Sequence, residues 1–279
     1  MANASSLGSL FVVATPIGNL DDLTHRAETV LKSVQIVAAE DTRRTSVLLA
    51  HIGHRAPELL SLHEHNEGDL APKLIARLQA GVDIALVSDA GTPLINDPGF
   101  GLVGQAHRAG IPTIPVPGAC SITTLLSVCP LPCQPFQFIG FLASKVGQRK
   151  AQLEHMLAVP EATVFLESPK RIRGTLSALQ ELGASRPLML GRELTKKFES
   201  QYVGSASQLL DALDDEPRGE FIGVLAAETQ TESQSFKHVE GMRALLQELS
   251  PAQASRLGAT ICGVKKKQMY DLAMTLGQE

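Results

Sequence analysis

The sequence has no tryptophan and only 4% aromatic residues, too few for a platform on which successive bases of a single strand would stack. It also lacks an excess of positive charge: 25 Lys and Arg against 29 Asp and Glu leave a formal net charge of -4. Any nucleic-acid partner must therefore be met by a local basic surface. No apolar run approaches the roughly 20 residues of a membrane span, and the first ten residues carry neither a basic stretch nor a long apolar one. Neither insertion nor secretion is indicated, and the cytoplasm is the expected compartment. The four cysteines, at 120, 129, 133 and 262, form no CxxC pair and have no His companions at zinc spacing, so thiols are expected and a metal site is not.

What is present is 279 residues, of which 44% are apolar, enough for two medium domains or one large one. Short β-rich runs alternate with helical ones. Strands are predicted at Leu10 to Ala14, Ile36 to Ala39, Asp83 to Val87 and Thr113 to Val116, with helices at Thr24 to Lys32, Arg43 to His51, Leu70 to Ala80 and Gly101 to Ala109. Such alternation predicts a mainly parallel sheet over residues 10–118. An apolar helix, Ser121 to Val128, and the Pro-rich segment Pro130 to Pro135 lead into a second α/β domain, 119–228, whose strands (Phe136 to Phe141, Thr163 to Leu166, Pro187 to Leu190, Glu199 to Val203, Phe221 to Ala226) fit a mixed sheet. Helices are expected between them at Lys150 to Leu157, Ile172 to Leu182 and Ala206 to Leu213. The polar stretch Glu228 to Val239 reads as a tether. A small helical domain follows over 240–279, with Ser250-Pro251 opening its second helix, Gly258 and Gly263 flanking turns, and Lys265, Lys266 and Lys267 at the start of the third. Cations there oppose the helix dipole, so either they form a solvated charge run or something other than helix stability keeps them.

Function is carried by loops. Ser88 to Gly99 follows a strand and combines two glycines and two prolines with the side-chain oxygens of Asp89, Thr92, Asn96 and Asp97; ligands of open α/β sheets bind at that edge. Thr15 to Asp22, Glu40 to Thr45 and Pro117 to Ser121 end neighbouring strands, and their convergence outweighs the reading of any one as a plain connection. The loop Thr15 to Asp22 has a single glycine and no phosphate-loop lysine, which argues against NAD and ATP. His63 and His65 share one short loop without a third ligand nearby, which argues against metal. In the second domain, Glu167 to Arg171 and Gly191 to Lys197 follow strands, and their basic residues could face phosphates across a cleft.

These blocks resemble the ribosomal RNA small subunit methyltransferase I family, of the tetrapyrrole-methylase class. The resemblance lies in Thr15-Pro16-Ile17-Gly18-Asn19-Leu20, Ala39-Glu40-Asp41-Thr42-Arg43, Val87 to Gly99, Pro117-Gly118, Gly140-Phe141-Leu142, Glu167-Ser168-Pro169-Lys170-Arg171, Arg192 to Lys196 and Gly219-Glu220-Phe221, with Gly263 to Lys266 in the tail. It implies a two-domain tetrapyrrole-methylase fold with a C-terminal helical unit, a homodimer, and S-adenosylmethionine as cofactor in the cleft between domains. It further implies methylation of the ribose 2'-hydroxyl of a cytidine in the decoding region of small-subunit (16S) ribosomal RNA, on the RNA or on the assembled 30S subunit.

By position, the resemblance puts the cofactor against Pro16, the loop Asp89, Ala90, Gly91, Thr92, Pro93 with Ile95, the turn Gly118 to Ser121 with Cys120, and Glu167 and Leu225. Asp22, Glu40, Asp41 and Glu193 are the candidates to take the hydroxyl proton. Arg43, Arg44, Arg171 and Arg192 are expected at phosphates, where a guanidinium fork fits, with Lys145, Arg149, Lys170 and Lys196 beside them. Ala143 stands where the family often has Pro, which implies a looser turn. Two alternatives stay open: a same-fold methyltransferase acting on a tetrapyrrole precursor or on a modified histidine of a translation factor, and a non-catalytic RNA-binding or assembly module.

Overall fold

Ile36–Ala39 and Ile84–Val87 are apolar and buried at every position, a pattern that strands show where helices cover both faces of a parallel sheet. The structure is a computed structural model that describes residues 7–56, 58–228, 230–262 and 264–276, with backbone alone over 230–238. Strands β1 (Leu10–Val13), β2 (Ile36–Ala39), β3 (Glu58–Ser61), β4 (Ile84–Val87) and β5 (Thr113–Val116) form one wholly parallel sheet in the order β3-β2-β4-β1-β5. Pro115 is tolerated because β5 is an edge strand.

Alternate residues of the central strands feed two cores. Val37 and Ala39 pack with Leu31 and Leu48 from α1 (His25–Ser33) and α2 (Thr42–His51), whereas Ile36 and Ala38 pack with Leu74 and Leu102 from α3 (Glu67–Gln79) and α4 (Phe100–Arg108). Thus β1 and β4, side by side, send their following helices to opposite faces. That is a topological switch point, and it opens a crevice at the carboxyl ends of these two strands.

After α5 (Ser121–Ser127), β6 (Phe136–Phe141), β7 (Ala162–Glu167), β8 (Leu188–Arg192), β9 (Ser200–Gly204) and β10 (Phe221–Leu225) make a second, mixed sheet in the order β6-β7-β10-β8-β9. Only β6 and β7 run parallel; the other neighbours are antiparallel. One face is covered by α6 (Val146–Ala158), α7 (Pro169–Glu181) and α8 (Ala206–Ala212) around Phe165, Leu153, Leu176 and Leu209.

Contacts divide the chain after Ala226, so both sheets lie in one compact unit. The second unit holds α9 (Gln230–Glu248), α10 (Pro251–Cys262) and α11 (Lys266–Leu276), whose Met242, Ala254, Met269 and Ala273 form its core. No helix among the described residues is long and apolar enough to cross a membrane.

Three local expectations are corrected. Strand β3 is additional to the expected strands; its Glu-Leu-Leu-Ser has no β-branched residue and is at most partly buried. The stretch read as a tether is helical from Gln230 onward, consistent with its Gln and Glu, which are good helix formers. Gly258 sits inside α10, where an added Cβ would lie 3.1 Å from Met242 Cε; Gly263 is outside the described residues. Phe165 is fully buried, so Phe165→Ala should destabilise the sheet unit by about 3–5 kcal/mol, read as a lowered urea midpoint; a loss under about 1 kcal/mol would contradict this packing.

Candidate active site at the facing edges of two sheets

The loop Ser88–Gly99 leaves β4 and turns back onto the end of β1. Thr15 N donates to Gly91 O at 2.9 Å and Gly91 N to Thr15 O at 3.0 Å, while Thr15 Oγ1 donates to Ser88 O at 3.2 Å. Thr92 Oγ1 then donates to Ala119 O at 3.2 Å, fastening the loop to the segment after β5. At its other end Glu67, the first residue of α3, accepts from Leu102 N at 2.9 Å and Gly99 N at 3.3 Å. These ties hold Leu94 and Asn96 at φ 71° and 70°, a left-handed conformation that costs a non-glycine residue about 1–3 kcal/mol.

The second sheet presents its own edge to this loop. Because β10 runs antiparallel to β7 and β8, its first residue Phe221 lies beside Glu167 and Arg192, so three strand ends meet there. Gly140, at φ 70° in a bulged part of β6, comes so close that a Cβ would lie 2.6 Å from Asn96 Oδ1. Between the two edges is a cavity of about 380 Å³, within the range of small-molecule sites.

The cavity is lined by acidic and apolar side chains from both sheets. Glu40, Asp89 and Asp97 line it from the first sheet, and Ile95, Phe141 and Leu194 supply apolar walls. Asp89 Oδ1 accepts from Asp41 N at 2.8 Å, and Asp89 N donates to Glu40 Oε2 at 3.4 Å. Burial pushes the Asp97 carboxyl up to about 6; the Ser88 hydroxyl opposes this, and the charges of Glu40 and Asp89 add to it. Glu167 also lines the cavity, but its fully covered carboxylate is already satisfied by Ser168 N at 2.7 Å, Arg171 Nη2 at 2.6 Å and Thr175 Oγ1 at 2.8 Å.

The family model described as Tetrapyrrole (Corrin/Porphyrin) Methylases matches residues 9–210, and that of the RsmI C-terminal HTH domain matches 240–277. Proteins named Ribosomal RNA small subunit methyltransferase I are similar over nearly the whole chain. That of Pseudomonas aeruginosa is 42% identical over 276 residues, covering 96% of this chain and 98% of the relative. That of Escherichia coli O157:H7 is 44% identical over 275 residues, covering 97% and 96%. The chain belongs to the ribosomal RNA small subunit methyltransferase I family.

Among solved structures, diphthine synthase matches with a TM-score of 0.59 at 16% identity, covering 79% of this chain and 90% of that one. A cobalt precorrin-4 methyltransferase matches with 0.57 at 15%, covering 78% and 94%. At these identities the likeness is one of fold, the tetrapyrrole-methylase fold.

Of the residues that the family resemblance marks for cofactor, Asp89, Ala90, Ile95, Ser121 and Glu167 line the cavity. Pro16 and Pro93 are buried beside lining residues, and Gly91 and Thr92 tie the loop to Thr15 and to Ala119. Gly118 and Cys120 lie just before α5, Cys120 as its N-cap residue, without being among the lining residues, and Leu225 sits at the far end of β10 within the core.

Of the candidate proton acceptors only Glu40 lines the cavity. Asp22 is exposed in the 3-10 turn Leu20–Asp22. Asp41 caps α2 and is held down to about 2, chiefly by its hydrogen bond with Arg43. Glu193 is pushed up by burial but drawn further down by Lys196 and by Glu220 N, and ends below its ordinary value.

The basic residues divide similarly. Lys145 and Lys170 are exposed. Arg43 reaches solvent while bound to Asp41, and Arg44 Nε lies 3.5 Å from Asp89 Oδ2. Arg171 is bound to Glu167, Arg192 donates to Arg218 O at 2.7 Å, and Lys196 bridges Glu193 and Glu220 at 2.9 and 3.0 Å. Arg149 is buried and donates to Ala143 O and Ser144 O, both at 3.1 Å. It therefore closes the turn after β6 from inside the fold, where no phosphate reaches it, and the looser turn expected at Ala143 is instead pinned.

Phe141, Leu194 and the start of β10 were not among the expected site residues, and Asp97, expected only as one of the oxygens of the ligand loop, was given no role of its own. The Asp97-Pro98-Gly99 run after a strand was a usable signal, since its oxygens stand at the ligand edge; the antiparallel direction of β10 had no sequence signal. Asp97 also yields a test. Its value near 6 in the fold lies above the ordinary 3.8, so its stabilising contribution is complete below about pH 4 and lost as pH rises through about 6. Asp97→Asn should therefore melt higher than the parent chain at pH 7, with the gap closing toward pH 4; parallel melting curves across that range would contradict the assignment.

Proposed function

We propose that the chain transfers a methyl group from S-adenosylmethionine to the ribose 2'-hydroxyl of a cytidine in the decoding region of 16S ribosomal RNA. As a member of its family it is a ribosomal RNA methyltransferase; the donor, the atom methylated, the 30S subunit as substrate, a homodimeric state and a cytoplasmic setting are our reading. The observation that carries the donor assignment is the cavity. Its Glu40, Asp89 and Asp97 carboxylates suit a ligand with a sulfonium and an ammonium, and its volume suits one folded nucleoside.

Bound there, the donor would supply a methyl group on a positively charged sulfur, and attack by an oxygen releases a neutral thioether. The protein then has chiefly to align the attacking oxygen, a contribution worth about 7–11 kcal/mol when well achieved. Ile95, Phe141 and Leu194 exclude water, and the fixed loop 88–97 sets the position of the acids. Asp97 or Glu40 accepts the hydroxyl proton, Asp97 being matched to near-neutral pH. Exposed Arg43, Lys145 and Lys170, together with Lys265 to Lys267 on the helical unit, meet phosphates and account for RNA binding by an acidic chain.

Radiolabelled S-adenosylmethionine incubated with small ribosomal subunits, and separately with naked 16S RNA, tests this reading. Label is expected in alkali-resistant dinucleotides. Label in alkali-sensitive positions, or none despite measured donor binding, would overturn it and direct attention to tetrapyrroles or translation factors.

A further inference from the structure

A second, more open hollow of about 580 Å³ adjoins the cavity. Ile17 and Leu194 line the cavity, and the next residues along each chain segment, Gly18 and Thr195, line the hollow. The two segments touch: a Cβ on Gly18 would lie 2.4 Å from Lys196 Cγ and 3.0 Å from Thr195 Oγ1, so glycine is what allows them to close on each other.

The β8–β9 turn is shaped for something other than its own comfort. Glu193 and Thr195 are left-handed, at φ 51° and 66°. Glu193 holds the turn by accepting from Glu220 N and Lys196 Nζ, both at 2.9 Å, and Thr195 N donates to Glu199 Oε2 at 2.6 Å. Thr195 Oγ1 is covered and has no hydrogen-bond partner among the described residues. Asp21 and Lys197 line the same hollow. Lys197 Nζ stands 5.6 Å from the ring centre of Phe198, which is 70% exposed in a chain with few aromatics.

An exposed ring, an adjacent ammonium, and acceptors able to take an exocyclic amine are together what a single nucleotide requires. We infer that this hollow, with the exposed Phe198 that follows its lining residue Lys197, receives the nucleotide next to the one methylated: Phe198 stacks on its base, Lys197 meets its phosphate, and the Asp21 carboxylate accepts from its polar edge. This rests on the RNA reading above. It also adds a specificity element beyond the cavity, because the strained turn fixes the distance between the hollow and the donor site.

Filter retention of radiolabelled, transcribed 16S RNA by the full chain tests the inference without turnover. Phe198→Ala should weaken retention about tenfold, Phe198→Tyr should restore it, and Lys197→Ala should reduce the slope of log affinity against log salt by about one. Binding of radiolabelled S-adenosylmethionine should be unchanged in all three. Unchanged RNA retention in both alanine variants, or an equal loss of donor binding, would overturn the inference. If these effects appear but the parent chain transfers no methyl group to the RNA, the functional reading fails while the nucleotide site stands; methyl transfer with full RNA affinity in both alanine variants has the reverse meaning.

Discussion

The pair of hydrogen bonds between the backbones of Thr15 and Gly91 is the constraint on which the site depends. The two strands they connect leave the sheet toward opposite faces, so without this pairing the crevice between them would be bordered by one free loop. With it, twelve residues from Ser88 to Gly99 become a rigid shelf. Its left-handed residues are paid for by ties at both ends, and Asp89, Asn96 and Asp97 stand at fixed places on it. The second sheet closes the shelf through Gly140, which lets β6 approach Asn96, and through the start of β10.

Charge is segregated with the same economy of parts. Acids face the cavity, where a cation would relieve the mutual repulsion that helps raise Asp97. Most basic residues near it are neutralised by built-in partners, as Arg171 is by Glu167 and Lys196 by Glu193 and Glu220. Lys145, Lys170 and the lysines opening α11 are exposed to solvent. The proposed function uses both signs: the acids for a cationic donor and the exposed lysines for a polyanion, on a chain whose net charge is -4.

Much of this was legible beforehand because periodicity and turn chemistry are local. The four-residue apolar runs of β2 and β4 and the Ser250-Pro251 start of α10 each announce themselves. The parallel first sheet followed from the alternation of strands and helices, and so did the convergence of four loops at one edge. What was not legible depends on partners distant in sequence. β3 forms because β2 offers it an edge, not because Glu-Leu-Leu-Ser prefers a strand. Phe221 rather than Leu225 reaches the cavity because β10 runs antiparallel to its neighbours. Arg149 looked like a surface cation, and only the fold reveals the carbonyls of Ala143 and Ser144 that it serves.

Hydrogen exchange of the full chain with and without S-adenosylmethionine tests the central claim, that the cavity between the two sheet edges is the donor site. The account predicts slowed exchange at amides of Asp89 to Asp97 and at Glu167, Ser168 and Phe221, with Thr15 and Gly91 already slow in the free protein. Slowing confined to other segments, or no change in these under saturating donor, would contradict it.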